Sequence, residues 1–406
     1  MREIILISFL GPDQPNQFTR LMQVLSAHSL QILDVGQAVI HNQLTLGIVV
    51  SSDDQTATAL AMKEILILAH DIGLTVRFKP ISATEYEQWV REGGRTRYIV
   101  TALAPELNAS HLQAVTRIVS SQGFNIETVT RLSGRPELDG SNTGPKRACV
   151  QFGLKGQMLD AAAMRAACLS LSNNLNVDVA VQEDNAYRRN RRLVCFDMDS
   201  TLIEQEVIDE LAIEAGVGIQ VSEITERAMQ GELDFQQSFR ARVALLKGMD
   251  ASVLPKIAER LTVTEGAERL ISTLRALGYR TAILSGGFQY FAEYLQAKLG
   301  IDEVHANVLD VQDGVVTGEV KGHIVDGARK ALLLREIADN MGISLEQTIA
   351  VGDGANDLPM LSIAGLGVAF RAKPLVRQNA NQAISSVGLD GVLYLLGVHD
   401  KDLSRA

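Results

Sequence analysis

Apolar and polar positions in the first half of the chain predict two successive units with the same element order, β-α-β-β-α-β. Short apolar runs predict the strands, and apolar residues three or four positions apart predict the helices. The predicted strands are 4–10, 32–40, 44–50 and 74–78 in the first unit, and 98–102, 126–132, 148–154 and 177–181 in the second. This repeat of pattern predicts two small ferredoxin-like domains, residues 1–90 and 97–183.

Three polar segments interrupt these units. The stretch from Trp89 to Arg95 is charged and Gly-containing, which predicts a linker between the two domains. Residues 133–146 are rich in Gly, Pro, Ser and Asn, and we expect a mobile loop there. The basic run 187–192 follows the second unit and precedes an apolar run, so we interpret it as a solvated linker rather than a nucleic-acid patch.

The second half of the chain shows apolar runs that end in small polar residues and are followed by helical patterns. Residues 194–196 lead into Asp197, residues 280–284 into Ser285, and residues 348–351 into Gly352. Strands that alternate with helices in this way predict an α/β domain with a parallel, Rossmann-like sheet, here residues 190–400. Chemistry in such sheets lies beyond the carboxyl ends of the strands, so we expect the three loops to converge.

Composition narrows the possible functions only slightly. The chain has 406 residues and a net charge of −10, which argues weakly against nucleic-acid binding. Cys149, Cys168 and Cys195 lie in apolar surroundings without metal spacing and are expected to be reduced core residues. The apolar run 4–10 is too short for a signal peptide, and no apolar window is long enough to span a membrane, so we expect a cytoplasmic protein.

Asp197 and Asp199 are the first candidates for chemistry. Residues two apart in an extended backbone project to the same side, so both carboxylates would face a common point. A D-x-D pair alone is more often an ordinary turn, and a calcium loop is excluded because Leu202 and Ile208 replace its Gly and Glu. Acidic groups with no His or Cys in motif spacing favour Mg²⁺ over Zn²⁺. The sequence also lacks a P-loop and a G-x-S-x-G frame around Ser285.

Taken together, four motifs resemble the haloacid-dehalogenase superfamily and, within it, the phosphoserine phosphatases. They are Asp197-x-Asp199-Ser200-Thr201, Ser285 with Gly286, Lys330, and Gly352-Asp353-Gly354-x-Asn356-Asp357. The resemblance implies Asp197 as nucleophile, Asp199 as general acid and base, and phosphate contacts from Ser285, Gly286, Lys330 and Asn356. It also implies Mg²⁺ held by Asp197, the Asp199 backbone carbonyl and Asp353, with Asp357 supporting them from outside the ligand set.

Between the first two motifs, residues 204–264 have helical and mostly polar patterns at 206–215, 224–229, 235–246 and 254–261. An insertion of this kind resembles the small helical cap of the family, a lid over the reacting group. On matching positions, Glu206 resembles the partner of the substrate ammonium and Arg242 that of its carboxylate, with Met229 and Phe235 as an apolar wall. An Arg guanidinium suits a carboxylate because it can donate two parallel hydrogen bonds.

The two N-terminal units resemble ACT domains, small modules that bind amino acids and pair their sheets across a dimer. The first loop matches the family's Gly-x-Asp-x-Pro-Gly at Gly11, Asp13 and Pro15, but Asn16 replaces the last Gly. The resemblance implies a homodimer and a ligand loop at Gly11, Asp13 and Asn16, where serine would act as an effector. A dimerisation platform that binds no ligand is the alternative.

These resemblances imply an enzyme that hydrolyses O-phospho-L-serine to serine and phosphate through an aspartyl-phosphate, as in the last step of serine biosynthesis. No nucleic-acid or membrane partner is expected. Two alternatives remain open at this point. One is a phosphatase for another small phosphoester, such as a phosphorylated amino alcohol, and the other is a non-catalytic regulatory scaffold.

Overall fold

The computed structural model describes residues 2–92, 96–136, 146–230 and 232–403, without the side chains of Glu92 and Met229. The chain forms two compact units, residues 1–95 and 96–406. None of the helices in the described ranges is both long enough and apolar enough to cross a membrane.

The first unit has the predicted β-α-β-β-α-β order. Its elements are β1 (Glu3–Pro12), α1 (Gln17–Ala27), β2 (Gln31–Ile40), β3 (Gln43–Ser52), α2 (Gln55–Asp71), β4 (Thr75–Ile81) and a further helix, α3 (Ala83–Glu92). The four strands form an antiparallel sheet in the order β2-β3-β1-β4. One face of the sheet buries apolar residues such as Ile7, Phe9 and Ile48 against α1 and α2.

Helix α3 shows that the linker prediction was wrong for its first part. Trp89 and Arg91 lie within the helix, and only residues 93–95 of the predicted linker fall outside the described part of the chain. The helix begins with a reciprocal capping arrangement between Ser82 and Glu85. The Ser82 backbone N–H donates to Glu85, and the Glu85 N–H donates to the Ser82 hydroxyl. This Ser-x-x-Glu signal is present in the sequence, but charged residues that also suit a linker surround it.

The second unit begins with the predicted repeat of the same order. Its elements are β5 (Arg97–Ala104), α4 (Ala109–Ser121), β6 (Asn125–Arg131), β7 (Ala148–Lys155), α5 (Ala161–Leu175) and β8 (Asp178–Glu183). The sheet order β6-β7-β5-β8 reproduces that of the first unit. Most of the predicted mobile loop, residues 137–145, lies outside the described residues.

A larger α/β fold follows. Its elements are β9 (Leu193–Phe196), α6 (Val207–Glu214), α7 (Gly218–Met229), α8 (Phe235–Ala244), α9 (Leu254–Arg260), α10 (Ala267–Ala276), β10 (Arg280–Phe288), α11 (Gln289–Leu299), β11 (Glu303–Gln312), β12 (Val315–Lys321), α12 (Gly327–Asn340), β13 (Thr348–Gly352), α13 (Leu358–Ile363), β14 (Leu366–Phe370), α14 (Pro374–Asn379), β15 (Gln382–Ile384), α15 (Gly391–Leu395) and α16 (Asp400–Leu403). The sheet order is β12-β11-β10-β9-β13-β14-β15. All neighbours pair in parallel except β11 and β12, which form an antiparallel hairpin.

The central strands explain why the sheet is parallel and buried. Every residue of β9, β13 and β14 is buried, as expected for strands that helices cover on both faces. Successive residues of β9 enter opposite cores, with Val194 and Phe196 on one side and Leu193 and Cys195 on the other. The sheet therefore holds the end of β9, and Asp197 after it, in a fixed position.

Helices α6 to α9 occupy the segment between β9 and β10, where the sequence predicts a helical insertion. Helix α7 begins at Gly218, six positions before the predicted start at residue 224. Val217 precedes it and provides no side-chain cap, so the sequence carries no start signal there. Helix α8 begins at a capping box formed by Asp234 and Gln237, close to the prediction.

The basic run 187–192 is not a solvated linker, and that prediction was wrong. Arg188 and Arg191 are buried, with 4% and 6% of their surfaces exposed, whereas Arg189 and Arg192 are exposed. The run lies between β8 and β9, and Arg191 donates to Gln182 and to the Gly365 carbonyl. The three cysteines, in contrast, are free and buried as predicted.

Candidate active site

Three acidic side chains meet at the carboxyl ends of β9 and β13. Asp197 follows β9, while Asp353 and Asp357 follow β13. One carboxylate oxygen from each lies within 4.8 Å of those of the other two. The two strands are direct parallel neighbours, so their loops leave the sheet side by side.

Lys330 connects this acidic cluster to helix α12. Its Nζ lies 2.8 Å from Asp197 Oδ1 and donates a hydrogen bond of 2.6 Å to Asp357 Oδ1, and its side chain is fully buried. Burial by itself lowers the pKa of Lys330, but the two carboxylates outweigh it and raise that pKa. Lys330 is therefore held as an ammonium.

The single ammonium group of Lys330 does not balance the charge of three carboxylates. Burial and the Asp357 carboxylate raise the pKa of Asp197, although Lys330 opposes the shift. Burial and the Asp357 carboxylate, with a smaller contribution from Glu206, raise the pKa of Asp353 to about 7. Three converging carboxylates suit a hard divalent cation with oxygen ligands, and such a cation would balance the remaining charge. The donor set therefore fits a divalent metal, with Asp357 a member of the cluster beside Asp197 and Asp353.

Asp199 occupies a different environment from Asp197. Its Oδ1 is buried and accepts no hydrogen bond from the described residues. Burial raises the pKa of Asp199, and the nearby carboxylates of Glu206 and Asp197 raise it further. A hydrogen bond from the Val207 backbone acts in the opposite direction. A carboxyl group with a raised pKa can carry a proton near neutrality and donate it.

Ser285, Gly286 and Gly287 lie within strand β10 and not in a loop after it, so the predicted strand end at Leu284 was wrong. The pairing of β10 with β11 shifts register between Leu284 and Phe288, which gives these residues an irregular backbone inside the strand. The Gly287 N–H donates to Ser285 Oγ over 2.9 Å. The buried hydroxyl therefore stays beside the carboxyl end of β9.

Asn307 on β11 was missed by the sequence analysis. Its Nδ2 donates to the Gly286 carbonyl over 2.7 Å, and its Oδ1 accepts from the Val325 N–H over 2.8 Å. It thereby ties the Gly286 backbone to the segment before α12. A single Asn on an amphipathic strand carries no sequence signal for this role.

Gly287→Ala is expected to impair catalysis without unfolding the protein. A Cβ at this position would lie 2.7 Å from Asp199 Oδ2 and 3.1 Å from Ser285 Oγ, so both groups would have to move. Displacements of about 1 Å can cost on the order of 100-fold in rate, and we expect a loss of kcat of that size. Steady-state kinetics and thermal unfolding measure the two effects.

Gly218→Ala is the matched control, because the nearest atom to its added Cβ is 3.9 Å away. Equal kcat values for Gly287→Ala and Gly218→Ala would show that an added Cβ beside Asp199 does not affect catalysis.

Of the predicted cap residues, Phe235 lies against the backbone of the site. The ring of Phe235 at the start of α8 lies 3.0 Å from a Cβ built on Gly286, and it stacks on Phe239 at 6.0 Å between centroids. Glu206 is exposed and accepts from the Ser200 hydroxyl over 2.9 Å. The side chain of Met229 lies outside the described residues.

Arg242 has an unusual electrostatic position. Its Nε donates only weakly, to the Ser238 carbonyl at 3.4 Å. Burial lowers the pKa of Arg242, while the carboxylates of Glu206, Asp209 and Asp199 oppose that change. Yet no carboxylate of the described residues reaches ion-pair distance from it. Its terminal N–H groups thus remain available to an added carboxylate.

Asn356 lies in the short turn between β13 and α13. The turn Ala355–Asp357 directs Asp357 back towards Gly354, whose N–H donates to Asp357 Oδ2 over 2.9 Å. The Asn356 side chain is half-buried at the edge of the acidic cluster and adjoins Gly354. This position is compatible with a contact to bound substrate.

The predicted ligand loop of the first unit has a defined backbone. A Cβ on Gly11 would lie 2.7 Å from the Gly73 carbonyl, so only glycine fits there. Asn16 adopts a left-handed conformation with φ of 68°, which Asn tolerates better than most residues. This explains why Asn can replace the family's Gly. The Asp13 N–H donates to the Asn42 carbonyl, and Asp13 is exposed.

Two family profiles match the chain. The profile for haloacid dehalogenase-like hydrolases matches residues 194–362, which contain all four motifs of the site. The profile for the ACT domain matches residues 3–79, the first βαββαβ fold.

Relatives extend the likeness over the whole chain. The phosphoserine phosphatase of Streptomyces coelicolor is 40% identical, over 99% of this chain and 94% of its own length. That of Mycobacterium tuberculosis is also 40% identical, over 99% of this chain and 95% of its own length. The crystal structure of a probable phosphoserine phosphatase from Vibrio cholerae matches with a TM-score of 0.59 and 33% identity, covering 78% of this chain and 90% of the other. The chain belongs to the phosphoserine phosphatase family.

Proposed function

We propose that this protein hydrolyses O-phospho-L-serine to L-serine and phosphate through a phosphorylated Asp197. One observation carries the proposal above all others: the buried ammonium of Lys330 joins Asp197 and Asp357 in a cluster with Asp353, at the carboxyl edge of the parallel sheet. Full-length relatives named as phosphoserine phosphatases support the same reaction.

Mg²⁺ is the proposed metal. Asp197, Asp353 and the Asp199 backbone carbonyl are the proposed ligands, and the proximity of Asp357 also suits it to the site. When bound, the ion polarises the phosphoryl oxygens and offsets their charge. Lys330, Ser285, the Gly286 backbone and Asn356 are proposed to hold the phosphoryl group beside it.

In the first half-reaction, Asp197 attacks phosphorus. Its Oδ1 already accepts from Lys330 and from the Met198 N–H over 2.8 Å, whereas no hydrogen bond to Oδ2 is found within the described ranges. Oδ2 is therefore the attacking oxygen. The O–P bond to Asp197 forms as the bond from phosphorus to the serine oxygen breaks, and protonated Asp199 gives its proton to that oxygen.

In the second half-reaction, Asp199 acts as a base. Having lost its proton, it accepts one from a water molecule, whose oxygen attacks phosphorus. The bond between phosphorus and Asp197 then breaks, which releases phosphate and restores the carboxylate. The cap helices limit other water at this stage, with Phe235 covering Gly286.

The substrate's amino and carboxyl groups are assigned to the cap. Arg242 is proposed to bind the carboxylate, because its terminal N–H groups have no carboxylate partner within the described residues. Glu206 is proposed to bind the ammonium group, with Ser200 fixing one of its oxygens. Met229 and Phe235 are the proposed apolar wall.

Arg242→Ala is expected to separate phosphoserine from phosphoethanolamine, which has no carboxylate. Loss of a charge-assisted pair should lower kcat/KM for phosphoserine by on the order of 100-fold, and that for phosphoethanolamine by less than about threefold. Arg240→Ala, an exposed arginine on the same helix, is the control. If both substrates lose equally, the enzyme acts on a different phosphoester or Arg242 has another role.

The N-terminal part is proposed to be regulatory and dimeric. Residues 1–90 and 97–183 are the proposed ACT domains, and residues 190–400 the catalytic domain with its cap at 204–264. Strand β2 supports a homodimer, since it is an edge strand with exposed apolar Val35, Val39 and Ile40. The loop with Gly11, Asp13 and Asn16 is proposed to bind serine, whose ammonium group suits the exposed Asp13 carboxylate.

Serine is accordingly expected to inhibit turnover of the full chain. Asp13→Ala should raise the half-inhibitory serine concentration by on the order of tenfold, the value of one charge-assisted hydrogen bond, without changing uninhibited kcat. Asp53→Ala, at another exposed acid of the same unit, should behave as the wild type. Serine titration of phosphate release measures this, and identical inhibition of all three proteins would exclude the Asp13 loop as the effector site.

A further inference from the structure

A cavity lies where the second βαββαβ fold meets the parallel sheet. Its volume is about 320 Å³, at the lower end of the range for small-molecule sites. Helix α5 and strand β8 line one side, and α14 and β15 line the other. None of the proposed catalytic or cap residues lines it, so it is separate from the active site.

Arg191 gives this cavity a buried positive charge. Its Nη1 donates to Gln182 Oε1 over 3.1 Å and its Nη2 to the Gly365 carbonyl over 3.3 Å, both neutral acceptors. Its Nε is buried and has no hydrogen-bond partner within the described ranges, and no described carboxylate forms an ion pair with it. Burial and the neighbouring Arg188 lower the pKa of Arg191 only to about 10. A buried cation without a counter-charge is costly.

Arg377 lines the same cavity from α14. One terminal nitrogen donates to Ser172 Oγ over 2.9 Å, while its buried Nε has no partner among the residues that the structure describes. Two arginines therefore line one cavity. Both Nε groups are themselves buried, so a ligand would meet the terminal nitrogens of the guanidinium groups.

Among the described residues, the acids around the cavity form no ion pair with Arg191 or Arg377. Asp178 is buried, and its Oδ1 accepts from the Ser172 hydroxyl over 2.9 Å. Its Oδ2 accepts from the backbone N–H groups of Ser385 and Ser386 and from the Ser386 hydroxyl, at 2.6 to 2.7 Å. Glu183 and Glu346 are exposed at the rim, as is a third cation, Arg165. Solvent screens the charges at the exposed rim. Deeper in the wall, two guanidinium groups line the cavity against the one Asp178 carboxylate, which leaves an excess of positive charge.

We propose that this cavity binds a small oxyanion, a molecule with a carboxylate or phosphate group, through the guanidinium groups of Arg191 and Arg377. A guanidinium fork matches the planar carboxylate and two oxygens of a phosphate equally well. Met164 and Cys168 in the wall would contact the apolar part of such a ligand.

The ligand would join two parts of the second unit. Arg191 lies two residues before β9, the strand that ends at Asp197, while Ser172 and Gln182 belong to the preceding βαββαβ fold. A ligand that binds only the folded state raises the unfolding temperature in a concentration-dependent way. Occupancy should therefore stabilise the junction.

Isothermal titration of the full chain without metal tests the proposal, with malonate as the carboxylate probe and sulfate as the tetrahedral probe. At least one should bind saturably at millimolar concentrations and raise the unfolding temperature. Arg191→Gln and Arg377→Gln should each weaken that binding by at least about tenfold, the value of one charge-assisted contact. Arg189→Gln, an exposed neighbour, and the active-site variant Arg242→Gln should bind as the wild type does.

Three results would overturn the proposal: no saturable binding of either probe, binding unaffected by both cavity variants, or binding lost in Arg242→Gln. Arg377 is only half-buried, so Arg377→Gln provides the test even if Arg191→Gln fails to fold. Crystals of the full chain grown with selenate give an independent readout. The anomalous selenium peak should lie between Arg191 and Arg377, and a peak only at the acidic cluster would contradict the site.

Discussion

Asp197→Asn is expected to reduce phosphate release by at least about 10⁴-fold, because the amide cannot attack phosphorus. The fold should persist, since Asn has the same shape and Lys330 keeps its 2.6 Å bond to Asp357. The measurement is steady-state kinetics beside mass spectrometry of the acid-quenched protein. The wild type should carry a phosphoryl group on Asp197 during turnover, and the variant should not.

Asp339→Asn makes the same chemical change at an exposed position of α12 and serves as the control. Wild-type turnover in Asp197→Asn would overturn the proposed mechanism and leave the acidic cluster with a different role.

Lys330→Met is expected to have the second large effect, on stability as well as activity. The change leaves Asp197 and Asp357 buried without their ammonium partner, and breaking a buried ion pair in this way typically costs about 3–5 kcal/mol. Urea unfolding in EDTA, where no metal can compensate, should show a loss of this order in the free energy of unfolding. Phosphate release should also fall below detection.

The additional change Asp357→Asn should restore part of the stability of Lys330→Met, since it removes one uncompensated carboxylate. Lys298→Met, an exposed lysine on α11, is the control and should lose less than about 1 kcal/mol. A similarly small loss for Lys330→Met would show that the cluster does not depend on this ammonium.

The sequence was sufficient to predict the parts of the fold that local pattern determines. The hydrophobic periodicity of the sequence predicts both βαββαβ folds, the parallel sheet and the inserted helices. Buried strands appear as apolar runs, and amphipathic helices as apolar residues three or four positions apart. The convergence of Asp197 and Asp353 follows from one rule, that loops after neighbouring parallel strands share an edge of the sheet. Lys330 lies on helix α12, and only the family resemblance pointed to its place beside them.

Features that depend on tertiary contacts were not predictable in this way. Arg188 and Arg191 belong to a basic run whose composition predicts exposure to solvent. They are nevertheless buried, at the junction between β8 and the parallel sheet. Gly286 and Gly287 form an irregular stretch inside β10, between the paired residues Leu284 and Phe288, and Asn307 holds the Gly286 carbonyl. Adjacent glycines usually predict the end of a strand instead. Asp357 joins the acidic cluster because its turn folds back on Gly354.

The most direct test of the proposed function is phosphate release by the full chain from O-phospho-L-serine. Phosphoethanolamine and other small phosphoesters are compared in parallel. With Mg²⁺ present, kcat/KM should be highest for phosphoserine by at least about 100-fold, reflecting Arg242, and EDTA should abolish turnover of every substrate. No preference for phosphoserine, or an unchanged rate in EDTA, would contradict the proposed function.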